Sequence, residues 1–186
     1  MISTTIKGYD LQLNSDPRLF SPLSIDRGTQ ALLSVISFSP EDKVLDLGCG
    51  IGVVGIVAAK HGAQVVMSDV DPLAVEIAQQ NVALNHVEVI SVVQSDGFRQ
   101  LTDAGFTIIA SNPPYHTDFS VAKHFIEKGF NRLVMGGRFV MVTKRVDWYK
   151  QKLTAIFGGV SMHSIDGYTV FVATKRRTHY ANKPQP

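Results

Sequence analysis

The chain has 186 residues, 45% hydrophobic and 18% charged, which is enough for one domain with a core and unlike a disordered chain. A net charge of +2 does not by itself indicate a nucleic-acid partner, and the single cysteine, Cys49, excludes an internal disulfide. No apolar run approaches the ~18 residues of a membrane span, and the first residues have no signal-peptide core. We therefore expect one cytoplasmic domain over residues 1–186, with no membrane contact.

The last dozen residues carry a cluster of positive charge. We expect a basic C-terminal tail over residues 175–186, in which the positive side chains are Lys175, Arg176, Arg177 and Lys183. The sequence leaves two interpretations open, a solvated tail that keeps the protein soluble or an arm that contacts phosphate groups.

The apolar pattern predicts alternating strands and helices. Residues 3–14 alternate around Lys7-Gly8, so we expect a hairpin within residues 1–15, and the spacing over 26–38 predicts a first helix. The strands expected after it are 44–47, 65–68, 87–93, 106–110 and 138–143, and the helices are 53–60, 71–85, 119–133 and 148–157. Gly136-Gly137 is expected to break the chain before the last of these strands. Such alternation implies βαβ units, and therefore a parallel sheet with helices on both faces.

The C-terminal end departs from this alternation. Two β-like runs, 160–165 and 168–174, are separated only by Asp166-Gly167, which is among the strongest short-range signals for a hairpin. The last strand should therefore be antiparallel and inserted into an otherwise parallel sheet. Dinucleotide dehydrogenases of the common doubly wound type end in a parallel strand, so this feature favours a methyltransferase.

A glycine-rich loop follows the first strand of the alternating pattern. Residues 50–55 satisfy the G-x-G-x-x-G pattern of dinucleotide sites, yet Asp46 and Gly48 extend it to D-x-G-x-G-x-G. The longer string suits S-adenosylmethionine (SAM) better than NAD. SAM has no phosphate but carries a carboxylate and an ammonium, so the loop amides suit the carboxylate and Asp46 suits the ammonium.

Two further acids end the next two strands. Asp69 is expected to accept hydrogen bonds from the ribose hydroxyls, and Asp96 from the adenine amino group. Asp69 does not discriminate between cofactors, because NAD sites use an acid at the same place. Asp96 with Gly97 is also compatible with a simple turn, and for Asp71 we prefer the role of helix N-cap before Pro72.

The segment Asn112-Pro113-Pro114-Tyr115 follows the fourth strand, beside the same crevice. An exocyclic amine or amide nitrogen is a poor nucleophile because its lone pair is delocalised, and two acceptors on its hydrogens would free that lone pair. The side-chain carbonyl of Asn112 and the backbone carbonyl of Pro113 can be those acceptors. Tyr115 offers a face for a base to stack on, worth ~1–3 kcal/mol. A Pro-Pro pair that merely ends a strand is the structural alternative.

These motifs carry a resemblance to a known family. Residues 46–52 together with 112–115 resemble the amino-group methyltransferases of the class I, Rossmann-like fold. Residues 19–33, with Phe20-Ser21 and Asp26-Arg27-Gly28-Thr29, are similar to the V-F-S … D-x-G-[ST]-x-x-L-L segment of the small-domain methyltransferases, which include ribosomal RNA guanine-N2 methyltransferases. The resemblance runs over about residues 16–174. It implies an α/β fold with a seven-stranded mixed sheet, and it implies that Phe20, Gly28 and Thr29 line the cofactor pocket.

The sequence thus assigns residues to three roles. The cofactor pocket is assigned to Phe20, Gly28, Thr29, Asp46, Gly48, Cys49, Gly50, Gly52, Asp69, Val70, Asp96, Gly97 and Asn112. The catalytic residues are assigned as Asn112, Pro113, Pro114 and Tyr115, and the substrate contacts as Tyr115, His116 and Lys144. The histidines show no ligand spacing, so no metal is expected.

The expected function is SAM-dependent N-methylation of a nucleobase amino group in RNA, with guanine-N2 of ribosomal RNA as the preferred target. The larger ribosomal enzymes carry an additional N-terminal domain that these residues do not include, so target recognition is expected to lie elsewhere. N-P-P-Y is shared with adenine-N6 and protein glutamine-N5 methyltransferases, which remain alternatives. A non-catalytic SAM- or RNA-binding assembly factor is the alternative of another class, and a dehydrogenase is the weakest candidate.

Overall fold

The computed structural model describes residues 1–19, 21, 23–114 and 118–182, and within them the chain forms nine strands and five helices. The strands are β1 (Ile2–Ile6), β2 (Tyr9–Leu13), β3 (Lys43–Leu47), β4 (Gln64–Asp69), β5 (Ser91–Gln94), β6 (Phe106–Ser111), β7 (Leu133–Thr143), β8 (Ser161–Ile165) and β9 (Tyr168–Thr174). The helices are α1 (Arg27–Val35), α2 (Val53–Lys60), α3 (Pro72–Leu84), α4 (Ser120–Arg132) and α5 (Val146–Phe157). No helix of these described ranges is long and apolar enough to cross a membrane.

Seven of the described strands form one large sheet in the order β5-β4-β3-β6-β7-β9-β8. The strands from β5 to β7 pair in parallel, whereas β9 is antiparallel to both of its neighbours. The chain runs from β3 outward to β5, then returns to the other side of β3 with β6. Strand order therefore reverses between β3 and β6, where open α/β sheets form their ligand crevice.

The C-terminal hairpin forms as the sequence predicts. Asp166 has φ +50° and Gly167 φ +80°, and Ile165 pairs directly with Tyr168. Two consecutive residues with positive φ give a turn whose twist matches the flanking strands, which is the reason that Asp-Gly signals a hairpin. The predicted antiparallel last strand is confirmed, and it lies inserted between β7 and β8.

Apolar side chains leave the large sheet on both faces. One cluster combines alternate sheet residues such as Val44 and Ile108 with apolar residues of α1, α2 and α3. The other combines their strand neighbours, such as Leu45 and Ile109, with residues of α4 and α5. Because successive side chains of a strand point to opposite faces, each strand contributes to two cores. The expectation of helices on both faces is confirmed.

Two strands begin more than one residue away from their predicted starts. β5 begins at Ser91 instead of residue 87, because His86 adopts φ +53° and the amide of Val87 donates back to the carbonyl of Val82, so this stretch closes α3. β7 begins at Leu133, directly after α4, and the register with β6 shifts between Phe106 and Ile108. The predicted break at Gly136-Gly137 is therefore wrong, since both glycines lie inside β7 at this irregularity.

The described part of the C-terminal segment is attached to the body of the protein at two places. Lys175 is buried and its Nζ donates to the carbonyl of Leu133 at 2.9 Å. The amides of Ala181 and Asn182 donate to carbonyls at the end of α5, at 3.0 and 2.9 Å. Up to residue 182 this segment is thus anchored at two places, and Arg176 and Arg177 between them are exposed. An arm that contacts phosphate groups stays a prediction. Lys183 lies outside the described residues.

Two buried asparagines, one in α3 and one at its C-cap, tie the N-terminal hairpin to this helix. The side chain of Asn81 accepts from the amide of Asn14 at 2.7 Å and donates to its carbonyl at 3.0 Å, and Asn85 makes the same pair of bonds with Gln12. Asn81 also donates to the carbonyl of Ile51 at 2.9 Å. β2 pairs only with β1 among the described strands, so its other edge has no strand beside it. The two amide side chains supply hydrogen-bond partners to the backbone there and just after β2.

We expect Asn81→Ala to lower the free energy of unfolding by about 2–3 kcal/mol, because it leaves backbone groups of Asn14 and Ile51 without partners in a buried place. Urea unfolding followed by circular dichroism measures this change. The matched control is Gln79→Ala, an exposed position of the same helix, which should change stability by less than about 0.5 kcal/mol. Equal effects of the two substitutions would contradict the anchoring role of Asn81.

Candidate active site

A cavity of about 390 Å³ lies at the carboxyl ends of β3, β4, β5 and β6, where strand order reverses. The loops that follow these four strands form its floor and sides. The segment before α1 closes it from one side, and α4 contributes Val121 and Phe125. The cavity therefore lies where the sequence predicts a cofactor pocket.

The glycine loop owes its shape to residues with positive φ. Gly48, Gly50 and Gly52 have φ of +73°, +54° and +89°, values that favour glycine. The amides of Gly48 and Cys49 both donate to the carbonyl of Ser68, and the amide of Gly50 donates to Asp69. These three N–H groups are therefore taken by the end of β4. The expectation that the amides of this loop bind the carboxylate of a cofactor stays a prediction.

Asp69 is held by two backbone amides. Its Oδ2 accepts from Gly50 at 2.8 Å and its Oδ1 accepts from Asp71 at 3.0 Å. The carboxylate lines the cavity in this fixed orientation, next to Val70, whose side chain is 61% exposed. Asp71 caps α3 by accepting from the amide of Leu73 at 2.9 Å, which confirms the predicted N-cap.

Asp46 lies at the buried end of β3 and lines the cavity floor. Its Oδ2 accepts from the amide of Gly55 in the first turn of α2, at 2.8 Å. Burial raises the pKa of Asp46 to about 7; the Gly55 N–H opposes this rise and the nearby Asp69 carboxylate adds to it. A cation beside this carboxyl group would stabilise its ionised form and lower its raised pKa.

Asp96 and Gly97 line the cavity beyond β5, with the Asp96 side chain exposed and paired with Arg99. Gly97 has φ +57°, and a Cβ there would come within 2.5 Å of the His124 Nε2 atom. This nitrogen accepts from the amide of Phe98 at 3.1 Å, so the ring must be neutral there, and burial lowers its pKa accordingly. Gly97 is thus required by a close approach as well as by the turn.

Asn112 follows β6 and faces the first turn of α1 across the cavity wall. Its Nδ2 donates to Asp26 Oδ2 at 2.6 Å and to Thr29 Oγ1 at 3.2 Å. Pro113 is buried and Pro114 exposed, and both line the cavity with Asn112 and Thr29. The structure thus brings the glycine loop, Asp69, Asp96 and Asn112 to one cavity. Phe20, Tyr115 and His116 lie outside the described residues.

Among the assigned residues that the structure describes, Gly28, Gly52 and Lys144 do not line the cavity. Gly28 lies behind Asn112, and a Cβ there would come within 2.9 Å of Asp26 Oδ2 and 3.2 Å of Asn112 Nδ2. Gly52 caps α2, and a Cβ there would meet Met67 and Ala78 at 3.3 Å. Lys144 is exposed at the end of β7 with its Nζ 4.8 Å from the centre of the Tyr168 ring.

The segment before α1 forms one wall of the cavity, but the sequence assigned only Phe20 of it to the pocket. The wall residues missed there are Leu19, Ser21, Ser24, Ile25 and Asp26. Asp26 carried a usable signal, because an Asp before a helix with a hydroxyl residue three places on is typical of an N-cap. Phe125 of α4 belongs to the core and also lines the cavity.

Solved structures with the same architecture define the class of protein. A methyltransferase from Pyrococcus furiosus superposes with a TM-score of 0.73 at 16% identity, over 90% of this chain and 90% of that one. The T. thermophilus 16S rRNA N2 G1207 methyltransferase in complex with AdoMet and guanosine gives a TM-score of 0.88 at 29% identity, over 94% of this chain and 50% of that one. The fold is the Rossmann-like fold of the class I methyltransferases.

The family follows from the sequence match. Residues 10–172 match the methyltransferase small domain family, and the chain belongs to it. Similar curated proteins are the ribosomal RNA small subunit methyltransferase C of Hamiltonella defensa, 35% identical over 155 residues, and that of Haemophilus ducreyi, 36% identical over 159 residues. Each alignment covers 80% of this chain but only 46% and 47% of the relative. The chain thus spans about half the length of the curated relatives it matches.

We expect Asp46→Asn to stabilise the ligand-free protein at pH 8 by about 2–4 kcal/mol, since each unit of pKa shift is worth about 1.4 kcal/mol. The folded pKa lies above that of the unfolded chain, so the unfolded chain ionises first as pH rises and the wild type loses stability between about pH 4 and 7. Asparagine avoids this loss and still accepts from Gly55. Urea unfolding at pH 4 and pH 8 measures the difference in free energy of unfolding between the variant and the wild type. An equal difference at both pH values would contradict the raised pKa of Asp46.

Proposed function

We propose that the protein is a SAM-dependent N-methyltransferase that methylates the exocyclic amino group of guanine in ribosomal RNA. The observation that carries this proposal is the meeting of Asp46, Asp69 and Asn112 at one cavity, in a fold similar to a guanine-N2 methyltransferase in complex with AdoMet and guanosine. The relatives named as ribosomal RNA methyltransferases support the choice of substrate.

The side chains of the cavity fit the charges of SAM. Asp46 would hold the ammonium, because a buried carboxylate with a raised pKa gains most from a cation. Asp69, fixed by two amides, would accept from the ribose hydroxyls, and the exposed side chain of Val70 offers an apolar surface to the adenine. Asp96, which binds Arg99 through Oδ2, would accept from the adenine amino group. Bound SAM supplies an electrophilic methyl group on its sulfonium.

Asn112 and Pro113 would prepare the acceptor nitrogen. Two carbonyl oxygens that accept its hydrogens draw the nitrogen out of conjugation with the ring, so that its lone pair points at the methyl carbon. The nitrogen so prepared would accept the methyl group that bound SAM supplies, and it would then lose a proton to solvent. Most of the rate acceleration would come from positioning the nitrogen, and no strong base is required.

The acceptor base must reach this cavity unstacked. A base inside a duplex cannot enter, so the target is single-stranded or flipped. Tyr115 is proposed to stack on the base and His116 to contact it, and the exposed Lys144 beyond β7 is proposed to contact a phosphate.

We expect Asn112→Ala to lower the methylation rate about 100-fold or more, the loss typical of removing one preorganised polar group from a reaction centre. The assay combines tritiated SAM with ribosomal RNA or small subunits from cells that lack this protein. The labelled product is divided between ribonuclease and protease, and its nucleosides are separated to identify N2-methylguanosine.

Asn131→Ala is the matched control, because Asn131 is exposed at the opposite end of the sheet, where α4 ends. It should leave the rate unchanged. Label released only by protease would replace RNA with a protein acceptor, and label in N6-methyladenosine would replace guanine with adenine. SAM binding without label on either polymer would overturn the proposed function.

We expect Asp46→Asn to weaken SAM binding about 10-fold or more, because asparagine cannot pair with the ammonium. Isothermal titration of the wild type and the variant measures the dissociation constant. Asp103→Asn, which removes a carboxylate at the opposite edge of the sheet beside Lys43, is the control and should bind as the wild type does. Unchanged affinity in Asp46→Asn would remove this residue from the cofactor site.

A further inference from the structure

The proposed chemistry depends on which end of the Asn112 amide faces the acceptor. The two ends have almost the same shape but opposite hydrogen-bonding character. When its carbonyl faces the acceptor amine, Asn112 can accept a hydrogen bond from that amine. When its NH2 group faces the amine instead, two donors meet and no hydrogen bond forms. The polypeptide around Asn112 must therefore favour one of the two orientations.

The groups behind Asn112 favour the productive orientation. Its Nδ2 lies 2.6 Å from Asp26 Oδ2 and 3.2 Å from Thr29 Oγ1, so both amide hydrogens have acceptors on α1. An ionised carboxylate can only accept, and rotation of the amide by 180° would bring the carbonyl oxygen against Asp26 Oδ2. The bond to a carboxylate is also stronger than one between neutral groups.

Asp26 is itself fixed, so it can serve as a reference for Asn112. It is the N-cap of α1, and the same Oδ2 atom accepts from the amide of Thr29 at 3.0 Å. Gly28 permits the close approach, because a Cβ there would come within 2.9 Å of Asp26 Oδ2 and 3.2 Å of Asn112 Nδ2. The approach of Asn112 to α1 is thus built into the packing.

We propose that Asp26 is a positioning residue that holds the Asn112 amide with its carbonyl directed at the methyl acceptor. The inference rests on the proposed N-methyltransferase function. It gives Asp26 a role beyond helix capping, for which a shorter side chain would serve. Serine caps a helix about as well as aspartate, but its hydroxyl lies one bond closer to the backbone and does not reach Asn112.

Two substitutions separate the roles of cap and orienting group. Asp26→Ser keeps the cap and removes the contact with Asn112, so we expect kcat to fall about 10-fold or more while the dissociation constant of SAM changes less than about threefold. Asp26→Asn keeps an oxygen that accepts from Asn112, and we expect it to recover most of the activity lost in Asp26→Ser. Methylation kinetics and isothermal titration measure both quantities.

A spectroscopic readout tests the contact without activity. The side-chain NH2 signals of Asn112, identified by their absence in Asn112→Ala, should shift in the nitrogen–proton spectrum of Asp26→Ser and remain near their wild-type positions in Asp26→Asn. Ser34→Gly is the control for a weakened α1, since Ser34 is exposed on the same helix. A glycine there should lower the melting temperature without lowering kcat.

The outcomes distinguish this inference from the proposed function. Wild-type kcat in Asp26→Ser would overturn the positioning role, as would a loss confined to SAM affinity, which would make Asp26 a cofactor contact. A wild-type protein that methylates no polymer would overturn the proposed function, and unchanged Asn112 signals in Asp26→Ser would then overturn the positioning role independently.

Discussion

The reversal of strand order between β3 and β6 is the constraint on which the cavity depends. Because β4 and β6 lie on opposite sides of β3, the loops that follow these strands diverge and leave a crevice over the carboxyl end of β3. Asp46 lies at the bottom of that crevice because it belongs to β3, the strand at which the order reverses. The acids after β4 and β5 extend along one side of it, and Asn112 after β6 forms the other. The chemistry proposed for the site is thus a consequence of topology.

The same arrangement lowers the stability of the ligand-free protein. Asp46 is buried and accepts a hydrogen bond from the amide of Gly55, and Asp69 lies close enough to raise the pKa of Asp46 further. A hydrophobic residue at this position would give a more stable fold, because burying a carboxylate without a cation is unfavourable. Stability is lowered where a charged ligand would restore it, which is a common property of binding sites.

Local patterns predicted the elements better than the contacts between them. Helix 53–60 and the Asp71 cap were correct because both depend on a few adjacent residues. The start of β5 and the irregularity in β7 were not, because they depend on how α3 closes and on how β6 and β7 pair. Asp26 and Asn112 are 86 residues apart, so no local pattern indicated their hydrogen bond. The buried Lys175 was missed for the same reason, since its acceptor is the carbonyl of Leu133.

The floor of the cavity is held in shape by elements that take no part in the proposed chemistry. On one side the glycine loop is bonded to the end of β4, through the carbonyl of Ser68. On the other side the carbonyl of Ile51 accepts from Asn81, the same side chain that binds the segment after β2. The N-terminal hairpin, α3 and the loop therefore share one buried amide. Since a buried amide is costly to leave without partners, the position of the hairpin and the geometry of the loop depend on each other.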